Sequence, residues 1–178
     1  MNAWEGLVAE GTPDAGMVYF QGSEKHEELL ALAWILEDGS EKFYTALSDI
    51  FKDKEAQHLF QNLSVAEEHH KESLLDVYRQ INRREPGEGF PGDILSTKET
   101  GNVMEGGVRV SEGIDWVKRH NLSSALELCM SNETNSYDLY IKMSRHVKDK
   151  DSMQIFETLV KEEKAHLEKL ENLLEKEM

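Results

Sequence analysis

Two Glu-x-x-His pairs stand 96 residues apart in this chain, Glu67 with His70 and Glu163 with His166. On a helix, residues i and i+3 share a face, so each pair can offer a carboxylate and an imidazole to one ion. The same offset carries Glu37 onto Glu133 and Tyr44 onto Tyr140. It also carries Phe60 onto Phe156, Leu63 onto Leu159, Leu30 onto Leu126 and Leu74 onto Leu170. The chain reads as an internal duplication of a two-helix unit.

The elements that must hold these residues follow from apolar stripes spaced alternately by three and four. The first runs Leu30, Ala33, Glu37, Ser40, Tyr44, Leu47, Phe51, and the second Phe60, Leu63, Glu67, His70, Leu74, Val77, Ile81. The third runs Leu126, Cys129, Glu133, Ser136, Tyr140, Met143, Val147, and the fourth Phe156, Leu159, Glu163, His166, Leu170, Leu173. Each core-facing stripe thus carries a glutamate near its centre. An unpaired buried carboxylate takes up a proton or unfolds its site. No lysine or arginine lies in these stripes to neutralise it. Two divalent cations would cancel four glutamates, and two neutral imidazoles would complete their shell.

At the segments Glu37-x6-Tyr44, Glu67-Glu68-His69-His70, Glu133-x6-Tyr140 and Glu163-Lys164-Ala165-His166 the chain resembles the ferritin-like di-iron carboxylate proteins, and within them the rubrerythrins. The resemblance covers residues 23–178. It implies an all-α, antiparallel four-helix bundle made of two helical hairpins joined by a long crossover. It also implies a pair of iron ions, with Glu67 and Glu163 bridging, Glu37 and Glu133 terminal, and His70 and His166 serving one ion each. Tyr44 and Tyr140 lie seven residues beyond the terminal glutamates, about 10 Å along the same face. From there each phenol can bond a ligand carboxylate on a neighbouring helix, or simply pack in the core. The resemblance has two departures. Rubrerythrins proper carry a rubredoxin-like iron domain with two Cys-x-x-Cys pairs, and the one cysteine here, Cys129, cannot build it. Many also place an extra glutamate one turn after the third-helix ligand, where this chain has Ser136, the repeat mate of Ser40. The two small serines leave room for an exogenous ligand or for close helix packing.

Composition narrows the partners. The 178 residues suffice for one domain with a sizeable core, and 31% charged residues suit long helices with solvated outer faces. A net charge of −15 argues against nucleic acid or an anionic membrane as partner. Cys129 falls on the stripe position of Ala33 and reads as core filler. The longest apolar run, residues 29–36, is too short to cross a bilayer, and no signal peptide is evident, so a cytoplasmic protein is expected.

Taken in order, residues 1–22 are rich in glycine and small residues and read as a linker or arm. Asn2-Ala3-Trp4-Glu5-Gly6-Leu7 resembles the tail of a rhodanese domain, but no catalytic cysteine loop accompanies it. With Ser23 as its cap, the first helix is expected over 24–51, and the second from a turn at Asp53 to about Arg83. Pro86, Gly87, Gly89, Pro91 and Gly92 stop that helix, and Glu105-Gly106-Gly107 marks a second turn. Residues 111–120 are expected to form a short helix anchored by a buried Trp116. The third helix is expected over 122–147 and the fourth over 152–176, capped by Asp149 or Asp151. Glu68, His69 and Glu162 flank the motifs but point about a hundred degrees away, so they read as solvated. His26, His58, His120 and His146 read as surface histidines, and Met17, Met104, Met143 and Met153 as filler.

Hard oxygen donors with two imidazoles suit iron or manganese, and zinc could occupy a purified sample. The expected function is a non-haem di-iron oxidoreductase that reduces hydrogen peroxide, or dioxygen, as a homodimer. An external donor, rubredoxin-like or a flavoprotein, would return the electrons. The alternatives are a ferroxidase or iron-handling protein, or an interaction module that metal merely holds together.

Overall fold

The computed structural model describes residues 25–95 and 103–178. The N-terminal arm, Ser23 and Met17 lie outside them. The described chain is all-α, as expected. Four long helices form it: α1 (His26–Ile50), α2 (Lys54–Asn82), α5 (Leu122–His146) and α6 (Lys150–Glu177). Two short ones, α3 (Gly92–Leu95) and α4 (Val110–Val117), lie in the crossover with a 3-10 turn at Glu105–Gly107.

Local chemistry sets the long helices' starts. Asp53 Oδ1 accepts from the Ala56 amide at 2.9 Å, Asn121 Oδ1 from Ser124 at 2.9 Å, and Asp149 Oδ2 from Ser152 at 2.8 Å. Each such cap stabilises its helix by about 1 kcal/mol. The Asp149 cap starts the last helix at Lys150, two residues earlier than expected. At the first helix the Glu28 carboxylate turns back to the Lys25 amide at 2.9 Å, and helix begins at His26. Only three residues join α1 to α2, and three join α5 to α6, so each pair folds back antiparallel. The two hairpins meet chiefly where α2 packs on α6.

The apolar stripes face inward but do not form one continuous core. One cluster gathers Phe43, Leu47, Phe60, Leu63, Leu126, Leu170 and Leu173. The other gathers Leu30, Ala33, Leu74, Val77, Met143, Phe156 and Leu159. The glutamates and histidines of the stripes lie between these two clusters in sequence, so a polar layer separates two dry ones. The repeat mates Phe60 and Phe156 are both fully buried, and truncating either to alanine would cost about 3–5 kcal/mol.

The crossover docks rather than merely spanning. Phe90 packs edge-on against Trp34 and Tyr78, with ring centroids 5.9 and 5.4 Å away. Farther on, Val103 pairs with Arg109 in an antiparallel bridge, and Met104 N–H donates to Val108 O at 2.9 Å. Between them Gly106 and Gly107 take φ of 78° and 77°, the left-handed region that glycine enters without strain. This tight reversal lies against α1 at Gly39, where a β-carbon would stand 2.1 Å from Val103 O. The crossover helix is anchored by Val110, Gly113 and Val117. Trp116 is only half-buried: it packs against the edge of the core and stacks on His120 at 3.7 Å. His120 is likewise half-buried, its Nδ1 2.7 Å from Trp116 O.

Candidate metal centre

Each long helix delivers its stripe glutamate to the polar layer because the stripe residues four before and seven after it are buried: Ala33 and Tyr44, Leu63 and Leu74, Cys129 and Tyr140, Leu159 and Leu170. Glu37, Glu67, His70, Glu133, Glu163 and His166 are brought together there, none more than 3% exposed. His70 Nδ1 lies 3.0 Å from Glu67, 3.0 Å from Glu163 and 3.3 Å from Glu37. His166 Nδ1 lies 3.0 Å from Glu133, 3.5 Å from Glu163 and 3.9 Å from Glu67. The imidazole rings stack 5.4 Å apart.

These atoms sort into two groups that could each hold an ion. Donor atoms of Glu37, Glu67, His70 and Glu163 all lie within 4.8 Å of one another, as do those of Glu67, Glu133 and His166. Glu67 belongs to both. Glu67 Oε2 and Glu163 Oε1, though both 3.0 Å from His70 Nδ1, make no aligned hydrogen bond. One ring nitrogen cannot supply protons to three converging carboxylates, whereas a cation serves them all. The donor set therefore fits a pair of metal ions.

Without a cation, protons must do the neutralising. Burial, then the neighbouring Glu67 and Glu105 charges, push the Glu37 carboxyl well above its usual range. Burial and Glu133 likewise raise Glu163 against the pull of His70. Burial works against charging His70, but Glu163, Glu67 and Glu37 outweigh it and hold the ring well above its ordinary value. Burial is outweighed at His166 too, where Glu133 leads in pushing the ring up to about 10.

The two tyrosines reach across the bundle. Tyr44 Oη donates to Glu133 Oε1, and Tyr140 Oη donates to Glu37 Oε1. Each phenol fixes a carboxylate belonging to the other hairpin. Both rings are fully buried and stack on repeat-mate phenylalanines, Tyr44 on Phe60 and Tyr140 on Phe156.

Of the flanking residues, Glu68, His69, His26 and His58 are exposed as expected. Glu162 is not a bystander. Its side chain is 51% exposed, yet Oε2 stands 3.2 Å from His70 Nε2, the ring nitrogen facing away from the cluster. The hundred-degree rotation from Glu163 carries it to the neighbouring helix's histidine rather than wholly into water.

Sequence reasoning also missed Glu105. It lies in the crossover turn, outside every stripe, and is 3% exposed. Burial raises its pKa well above the usual carboxylate range, followed by the charges of Glu67, Glu133 and Glu163. The one available signal was a single acidic residue inside Val103-Met104-Glu105-Gly106-Gly107-Val108, an otherwise apolar and glycine run.

A family model described as Rubrerythrin matches residues 28–174. This chain belongs to the rubrerythrin family. Membership implies iron binding, and the buried glutamates and histidines of this rubrerythrin-family bundle are able to hold a metal. A solved structure, described as a hypothetical protein from Pyrococcus furiosus, shares the fold. It is 22% identical with a TM-score of 0.66, covering 93% of this chain and 95% of that one. No curated protein matches this chain. Among the described residues, no helix is long and apolar enough to cross a membrane.

Proposed function

We propose that this protein is a di-iron oxidoreductase that reduces hydrogen peroxide at an iron pair held by Glu37, Glu67, His70, Glu133, Glu163 and His166. The observation that carries the reading is the convergence of four buried glutamates on two histidine Nδ1 atoms, with carboxylate oxygens left unpartnered. When bound, the iron pair supplies two electrons, which with two protons convert one peroxide to two waters. An external donor restores the electrons.

The chain's own residues shape that chemistry. Glu67 and Glu163 sit between the two histidines and would bridge. Glu37 and Glu133 would cap the outer sides, each oriented by a tyrosine from the other hairpin. Each phenol would thus fix the orientation in which its carboxylate meets the ion it would hold. The two apolar clusters exclude water from above and below, which strengthens the electrostatics inside.

Peroxide and dioxygen are separated by mixing the ferrous protein anaerobically with peroxide and, in a second arm, with air-saturated buffer. Fast oxidation by peroxide and slow oxidation by air is the expected result. Peroxide oxidation no faster than that of ferrous iron in buffer ends the reading, and faster reaction with air assigns an oxidase or ferroxidase instead.

A further inference from the structure

We propose that Glu105 is a seventh protein ligand of the metal pair, delivered by the crossover rather than by any bundle helix. The inference rests on the di-metal reading above and extends it to a residue outside the duplicated hairpins.

Three independent observations converge on it. First, the carboxylate is buried and its Oε2 has no hydrogen-bond partner. A buried acceptor left without a partner in a native protein requires an explanation, and an ion supplies one. Second, the local backbone is built to bring it inward. The Val103–Arg109 bridge and two left-handed glycines make a reversal of a few residues, which presses against Gly39 one residue from the small Ser40. Met104 locks the turn from one side, fully buried, with Asn132 Nδ2 donating to its Sδ at 3.4 Å. Third, the turn packs against both helices that carry the terminal glutamates: Val103 O meets Gly39, two residues from Glu37, and Met104 takes its bond from Asn132, next to Glu133.

Glu105 stands outside both groups of donor atoms that already lie within 4.8 Å of one another. Its side chain would have to swing inward from the turn to reach an ion, past Ser40, the neighbour of Gly39, whose Oγ is buried and likewise unpartnered. With no cation a fifth carboxyl must stay protonated, because its charge would meet only repulsion in a dry acidic layer. A cation pair turns that repulsion into attraction and ties the crossover to the bundle.

The test uses manganese(II), which is redox-stable and seen by electron paramagnetic resonance. The full chain and Glu105→Gln are titrated with manganese, and amide exchange across residues 103–109 is followed with and without it. Wild type should bind two ions, and Glu105→Gln should weaken at least one by tenfold or more, the loss expected even of outer partners. Metal should slow exchange at Glu105, Gly106 and Gly107 in wild type and leave it unchanged in the variant. Two ions bound by Glu105→Gln within twofold of wild type overturns the proposal and leaves the di-metal reading standing. Fewer than two ions in wild type overturns the di-metal reading itself. Should the variant fail to fold, the wild-type exchange decides alone: a crossover turn indifferent to manganese rejects Glu105 as a ligand.

Discussion

The two hairpins are near copies at the centre and unlike one ring further out. Within the polar layer the match is reciprocal. His70 Nδ1 contacts Glu37 and His166 Nδ1 contacts Glu133, while Tyr44 serves Glu133 and Tyr140 serves Glu37. Outside it, the first hairpin carries Lys71 held between Asp38 at 3.0 Å and Glu41, over the face of Trp34 at 5.2 Å. The second hairpin has Leu167, Thr134, Tyr137 and Met130 at those positions. Conversely the second hairpin carries Glu162, where the first has Ala66. The duplication thus retained the residues of the polar layer and let their supports diverge, so one repeated unit gives two chemically distinct halves.

If the centre is symmetric and shared, its common member should matter most. Glu67 belongs to both donor groups. Glu67→Ala should therefore drop bound metal from two ions per chain toward none, measured by elemental analysis after gel filtration. Glu133→Ala, which touches the His166 group only, should retain one. Equal losses from the two variants would break the assignment of separate sites.

A second expectation concerns the metal-free protein and the sign of its pH dependence. Glu37, Glu163, His70 and His166 all have folded-state pKa values raised above ordinary ones, to about 10 for His166. In the window between the unfolded and folded values the native state binds more protons, so stability falls as pH rises. The carboxyl contribution is full below about pH 4.3 and the histidine contribution below about pH 6.5. Both fade as pH climbs through the folded values, near 10 for His166. Metal-free protein should lose more than about 5 °C in Tm between pH 6 and 9, and saturating manganese should reverse the slope because binding displaces those protons. A metal-free Tm flat across that range would show the layer is not neutralised by protons.

How much of this was legible beforehand depends on periodicity. The helices, the six buried donors and the cross-bundle tyrosines all lie on stripes with a 3.6-residue repeat, and the offset of 96 made each stripe check the other. Glu105 was invisible because a turn has no period, and its inward direction depends on where the crossover docks on Gly39. Glu162 is exposed as expected, but its contact with His70 was missed because a rotation angle on one helix says nothing about the neighbouring helix. Trp116 was misread for the opposite reason: size suggested an anchor, but the smaller Val110, Gly113 and Val117 allow closer approach.

The tyrosines sharpen the comparison at smaller amplitude. Tyr44→Phe and Tyr140→Phe each remove one buried hydrogen bond to a carboxylate and leave the ring packing intact. Each should cost about 1–3 kcal/mol of metal-free stability, measured by urea unfolding, and by similar amounts. A difference above about 1 kcal/mol between them would show that the two halves of the centre are not equivalent even at the innermost layer.

Glu162 tests where equivalence ends. Its carboxylate lies 3.2 Å from His70 Nε2, and His70 pulls it below the usual carboxylate range. A carboxylate behind a metal-binding imidazole holds the ring's orientation and raises its basicity. Half-exposed, it is screened by water, so the effect is smaller than that of any buried donor. Glu162→Gln should weaken one manganese ion by roughly tenfold or less and leave the other unchanged. Ala66→Glu in the same background should restore a carboxylate on the second helix without rescuing the weakened ion, because position 66 belongs to the other half of the repeat. Loss from both ions would mean the outer ring acts on the pair as a unit, and the divergence of the hairpins would then carry no distinction between the two metal positions.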